Sequence, residues 1–242
     1  MLRGYILHHR PYRESSVIVN LLVDGVGRLD ALVRVGSGKK SIKSIIQPFQ
    51  PLIFQFNNKS DSADTSLKFI TQIEPAAPAL PLKSNSLYSA MYLNELLVRV
   101  LNAGQHAEGL FLHYHRSLMA LASEFDSQHL RYFEMELLNE LGALPSLEYD
   151  TQGENITAET SYRIIADEGF LPVAQQASAN VTNSRHLLSG EMLINLKSKQ
   201  LAENNLVQAK GLMRLLLSPL LGGKPLLSRK LFIKNPPKNN SE

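Results

Sequence analysis

The chain holds 242 residues, 44% of them apolar and 19% charged, a balance that suits a folded globular protein and excludes a disordered one. It has no cysteine, which excludes disulfides, iron–sulfur clusters and every thiolate zinc site. Its formal charge of +3 is uneven: residues 1–80 carry 10 Lys/Arg against 6 Asp/Glu, residues 81–180 carry 5 against 13, and residues 181–242 carry 10 against 3.

The first 75 residues read as strands. Tyr5-Ile6-Leu7, Val17 to Val23, Leu29 to Val35, Leu52 to Phe56 and Leu67 to Ile73 are short runs rich in β-branched and aromatic residues. Asp24-Gly25-Val26-Gly27 joins the second and third as a tight hairpin, because glycine accepts a positive φ. Five short strands at this spacing suit a small closed barrel of the OB type. An SH3-like barrel has a similar pattern.

Pro75, Pro78 and Pro81 punctuate a connector, and the apolar period then becomes helical. Ser84 and Ser86 are candidate N-caps for a first helix whose apolar face runs from Leu87 through Met91, Leu93, Leu96 and Leu97 to Leu101. Leu110 to Phe125 and Leu130 to Leu141 give two more, the latter stopped by Gly142 and Pro145. Tyr162 to Val173 reads as a hairpin, and a last helix spans about 198–217, bent by Ser218-Pro219. The tail from Asn235 is polar and proline-rich, so it is expected to be disordered. The fold expected is α+β: a five-stranded barrel over residues 1–78, then a mainly helical domain over 79–234. A small β-hairpin subdomain at 146–185 interrupts that helical domain.

Catalytic chemistry is hard to find. Gly36-Ser37-Gly38-Lys39-Lys40-Ser41 resembles the end of a phosphate-binding loop, but Val33 stands where the first glycine belongs and Lys40 intervenes before the serine. His113 and His115 lie two apart on a helix and face different ways. Glu136 and Glu140 read as a solvated helix face. No nucleophile elbow occurs. No apolar run approaches the roughly 18–20 residues of a membrane helix, and the start of the chain lacks the apolar core of a signal peptide. A non-enzymatic, intracellular binding protein with no cofactor or metal is expected.

Two basic ends point to a polyanion. The first constellation is Arg10, Arg13, Arg28, Arg34, Lys39, Lys40 and Lys43, on strand ends and on the loop after the third strand. In an OB barrel such cations track phosphates while aromatics stack on bases. Tyr5, Tyr12, Phe54 and Phe56 are the aromatic candidates; the two phenylalanines read better as barrel core, which leaves Tyr12 as the stacking candidate. The second constellation is Lys224, Arg229, Lys230 and Lys234, behind Gly222-Gly223 and Pro225.

The chain resembles the bacterial RecO family of DNA repair and recombination mediators. The resemblance is carried by Tyr5-Ile6-Leu7-His8-His9-Arg10-Pro11-Tyr12-Arg13-Glu14-Ser15-Ser16, Gly27-Arg28-Leu29 and Gln47-Pro48-Phe49-Gln50-Pro51-Leu52. It continues through Leu87 to Leu97, Arg131-Tyr132-Phe133-Glu134 and Leu221-Gly222-Gly223-Lys224-Pro225-Leu226, ending at Ser228-Arg229 and Leu231-Phe232. It implies binding of single- and double-stranded DNA, strand annealing, and help in loading the RecA recombinase onto coated single strands. The partners it implies are the C-terminal tail of single-strand-binding protein and RecR, in the cytoplasm at the nucleoid. Many members carry two Cys-x-x-Cys pairs that bind zinc after the third helix. Residues 148–175 have none, so the resemblance is to a zinc-less branch with a metal-free hairpin. For the acidic tail, the cations available are Arg116 and Arg131, in the acidic middle of the chain, and Lys210 and Arg214, one turn apart on the last helix. The alternative is a non-catalytic adaptor whose barrel binds only protein or RNA.

Overall fold

Strand β3 (Gly27–Arg34) shows why the N-terminal region closes on itself. Gly27, Leu29, Ala31 and Val33 point inward and the residues between them outward, the period of two that a half-buried strand requires. It pairs in register with β2 (Ser16–Val23), so that Val19 faces Ala31 and Leu21 faces Leu29. Strands β1 (Leu2–Tyr12), β4 (Leu52–Phe56) and β5 (Leu67–Pro75) complete a closed barrel in the order β1-β2-β3-β5-β4. All pairs are antiparallel except β3 with β5. The computed structural model describes residues 1–36, 41–57, 67–173 and 187–234; the expected tail from Asn235 lies outside them.

Two bulges set the barrel's shape. In β1 the pairing steps from Ile6 to His8, so Leu7 is the extra residue. In β5 it steps from Ile70 to Gln72, leaving Thr71 extra, and Thr71 Oγ1 donates to the Gln55 carbonyl at 3.0 Å. The second bulge turns Ile70 and Ile73, three residues apart, toward the same core. That core also holds Ile6, Leu52 and Phe54, with Phe56 packed at its edge.

The barrel belongs to a compact unit of residues 1–126 and the chain from 223, with residues 127–222 forming a second. In the first, α1 (Ser84–Val100) and α2 (Leu110–Ser123) cover β1, whose residues Gly4 to Leu7 are buried on both faces. Tyr5 packs edge-on against Tyr114 with ring centroids 5.2 Å apart, and its hydroxyl bonds His115 Nδ1 at 2.6 Å. Burial pushes the Tyr5 phenol up to about 12. Asn94 donates to the Leu7 carbonyl at 2.8 Å and accepts from Tyr114. The connector between α1 and α2 reaches back to the hairpin: Gly104 N–H donates to the Arg28 carbonyl at 2.8 Å, and Gly27 forms a bridge with His106. The short α6 (Arg229–Lys234) returns to α1.

The second unit contains α3 (Gln128–Glu140), a three-stranded sheet of order β7-β6-β8, α4 (Gly190–Lys197) and α5 (Leu206–Leu220). Strands β6 (Ser161–Ile165) and β7 (Gly169–Val173) are the expected hairpin, and β8 (Leu187–Ser189) adds a third strand. Helix α3 ends as its glycine predicts: Gly142 has φ +65°, its N–H donates to the Asn139 carbonyl, and Ala143 N–H reaches Leu138. These two bonds form a Schellman stop.

Several local expectations need correction. Neither Ser84 nor Ser86 caps α1; Lys83 occupies the N-cap, Ser84 has φ +46°, and Ser86 lies on the buried face. Met91 is 42% exposed, off the apolar face assigned to it. The last long helix begins at Leu206, because Lys199 takes a positive φ and Leu201 N–H is claimed by the Tyr132 hydroxyl at 2.9 Å. Pro219 sits inside its final turn, and the helix runs on to Leu220. A separate helix, α4, precedes it, capped by Ser189, which accepts from Met192 N–H at 3.2 Å.

Candidate nucleic-acid interface

The β5 bulge also makes a groove. Strands β3 and β5 run side by side only from Asp30/Leu67 to Val33/Ile70, after which β3 continues to Arg34 while β5 turns toward β4. Where they part, an open groove of about 810 Å³ forms, floored by Leu32, Val33, Ile42, Ile70 and Ile73. Its walls carry the chemistry. Tyr12 comes from the end of β1, Arg13 from the β1–β2 turn, Arg34 from the end of β3, and Phe69 from β5. Tyr12 is 37% exposed and Phe69 47%. The Arg13 guanidinium lies over the Tyr12 ring, 5.3 Å from its centroid. Arg13 has φ +58°, a left-handed turn conformation. Asn57, Thr71 and Gln72 add neutral hydrogen-bonding groups, and Glu74 marks an acidic end.

This set brings two exposed rings and two guanidinium groups together beside an apolar floor, the chemistry that an extended anionic strand carrying flat rings requires. Strict alternation puts Phe69 in phase with core-facing Ile73, so the sequence gives no sign that it faces the groove. The Thr71 bulge decides that phase.

The structure separates the predicted cations. Arg13 and Arg34 line the groove, Arg10 is exposed on β1, and Lys43 is exposed beside Ile42. Lys39 and Lys40 fall outside the described residues. Arg28 serves the fold: its side chain is 11% exposed, it donates to the Leu101 carbonyl, and it pairs with Asp30 at 3.2 Å. Tyr5, Phe54 and Phe56 are drawn into packing, so Tyr12 alone of the four aromatic candidates lines the groove.

At the other basic end, Lys224 and Lys230 are exposed and Arg229 is half-buried, its guanidinium 5.8 Å from the centroid of Tyr92. The side chain of Lys234 lies outside the described residues. Of the cations considered for an acidic peptide, Arg116 is exposed on α2 in the first unit; Lys210 and Arg214 are exposed on α5 in the second. Arg131 is buried on α3 and ion-paired with Glu134 at 2.7 Å. Among the described residues, no helix is long and apolar enough to cross a membrane, and no group of three or more His, Asp or Glu could hold a metal ion.

The family model described as "Recombination protein O N terminal" matches residues 1–79, and that described as "Recombination protein O C terminal" matches residues 83–230. Curated relatives agree along nearly the full length. A protein named DNA repair protein RecO from Haemophilus influenzae is 38% identical over 237 residues, covering 96% of this chain and 95% of its own. One of that name from Stutzerimonas stutzeri is 40% identical over 232 residues, covering 95% and 92%. Another, from Alteromonas mediterranea, is 37% identical over 238 residues, covering 97% of each.

Proposed function

The chain belongs to the RecO family and has a role in DNA repair and recombination, and we propose that it fills this role as a non-catalytic mediator binding single-stranded DNA in the barrel groove. The observation that carries this reading is the pairing of exposed Tyr12 and Phe69 with Arg13 and Arg34 around one open groove. Double-stranded DNA, annealing of complementary strands and RecA loading extend from it. A second basic surface at Lys224, Arg229 and Lys230 lets two phosphate backbones be screened together. Lys210 and Arg214, exposed and one turn apart, are more accessible to the acidic tail of single-strand-binding protein than Arg131, which is buried. RecR is the further protein partner, and the cytoplasmic nucleoid the place of action.

The test is fluorescence anisotropy of a labelled oligonucleotide across a salt series. Affinity should fall by about 0.7 log units per phosphate contact per decade of salt. Tyr12→Ala with Phe69→Ala should weaken binding without changing that slope. Arg13→Ala with Arg34→Ala, and separately Lys39→Ala with Lys40→Ala and Lys43→Ala, should weaken binding and flatten the slope. Unchanged binding in all three variants would remove DNA from the groove. Tighter binding of RNA of equal length would favour the RNA alternative. Titration of the tail peptide against Lys210→Ala/Arg214→Ala checks the partner surface, and unweakened binding would move it elsewhere.

A further inference from the structure

A row of α1 side chains, Tyr92, Glu95 and Arg99, grips the segment that bears the second basic cluster. Both Glu95 carboxylate oxygens are used. Oε1 accepts from Leu227 N–H at 2.8 Å, and Oε2 accepts from Ser228 N–H at 2.8 Å and from the Ser228 hydroxyl at 2.6 Å. Burial acts to raise the Glu95 carboxyl, but the hydrogen bonds from Ser228 and Leu227 and the charge of Arg99 outweigh it and hold the group below its usual range. One turn further along, Arg99 donates to the carbonyls of Lys224 and Pro225, both at 2.9 Å. Leu226, between the two grips, is buried to 1% exposure. Tyr92 lies under Arg229.

The grip holds backbone, not charge. Arg99 spends its donors on carbonyls and Glu95 takes amides and a hydroxyl, so neither consumes the ammonium groups of Lys224 and Lys230, which remain exposed. The approach to this segment is Gly222-Gly223, both at positive φ, so the chain before it has little stiffness of its own.

We propose that Glu95 and Arg99 are positioning residues for DNA binding: they fix residues 224–228 so that Lys224, Arg229 and Lys230 meet phosphates as a preformed set. Ordering is then completed on folding and is not charged against each binding event. The proposal rests on the reading that this second cluster binds DNA.

Charge and position predict opposite signs for one substitution, which makes the test sharp. On charge alone, Glu95→Gln removes a carboxylate from beside a cationic patch and should strengthen DNA binding. On the positioning account it should weaken binding and flatten the salt slope by at least one contact, about 0.7 log units per decade. Its affinity deficit against the parent should therefore be largest at low salt and shrink about 5-fold over one decade of salt. The experiment is anisotropy with a labelled oligonucleotide on the full chain, well below each variant's melting temperature. Lys224→Ala/Arg229→Ala/Lys230→Ala is run alongside. Ser228→Ala, which changes no charge, should also weaken binding, and Ser228→Thr, which keeps the hydroxyl, should restore it. If the triple variant weakens binding while Glu95→Gln binds as well as or better than the parent, the positioning role is wrong and the cluster's role stands. If the triple variant binds like the parent, the cluster does not bind DNA and the proposal falls with it. Should Glu95→Gln fail to fold, the Ser228 pair decides: unchanged binding in Ser228→Ala overturns the proposal.

Discussion

Replacing Gly27 with alanine should detach the barrel hairpin from the connector between α1 and α2. Gly27 has φ +107°, where a non-glycine residue costs about 1–3 kcal/mol. An added Cβ would lie 2.4 Å from the Gln105 carbonyl oxygen and 2.5 Å from Ala107 N. Both are backbone atoms, so no rotamer change relieves the clash and the 102–107 segment must move. Three backbone hydrogen bonds are then at stake: Arg28 N to Gln105 O, Gly104 N to Arg28 O, and Ala107 N to Val26 O. At about 1 kcal/mol each, with the strain added, the loss is about 4–6 kcal/mol, a large share of the 5–15 kcal/mol typical of domains. Gly25→Ala is the internal control. It has φ +68° but nothing within 4 Å of the added Cβ, so it should cost only about 1–2 kcal/mol. Urea unfolding followed by circular dichroism measures both. Equal losses for the two variants would refute the close-approach argument and leave only backbone strain.

Asn94→Leu should remove its bonds to the buried Tyr114 hydroxyl and the Leu7 carbonyl together, costing about 2–4 kcal/mol; a double-mutant cycle with Tyr114→Phe should show coupling, and strict additivity would argue against a shared network. Asp150→Ala should loosen the loop before β6 by about 1–2 kcal/mol, because the carboxylate accepts from Gln152 N–H at 2.8 Å and Glu154 N–H at 3.1 Å; limited proteolysis near residue 152 reads it. The folded protein should also keep its melting temperature in excess chelator, and a drop would reveal a structural metal. Glu95 is depressed in the folded state, so its stabilisation is fully present above the ordinary glutamate value near 4.5 and is lost as pH falls through the lower folded value. Acid unfolding of Glu95→Gln should therefore lack part of the parent's stability loss below that pH, and identical acid limbs would contradict the assignment.

Much of this protein is written locally. The β2–β3 hairpin follows from two β-branched apolar runs joined through two glycines, and the α3 stop from Gly142, because both depend only on neighbours in sequence. The uneven charge and the basic segments at both ends are likewise properties of the sequence alone. What tertiary structure decided is which of those groups serve the fold. Arg28, Arg131 and Tyr5 look like ligand contacts in the sequence, yet each meets a partner from elsewhere in its unit or along its helix: the Leu101 carbonyl, Glu134 and His115. Phe69 reaches the groove only because an extra residue, Thr71, shifts the phase of β5 against β4. The grip of Glu95 on Ser228 spans 133 residues. Periodicity reports which face a residue occupies on its own strand or helix. It carries no information about the register between elements, and register sets both the bulge and every long-range partner.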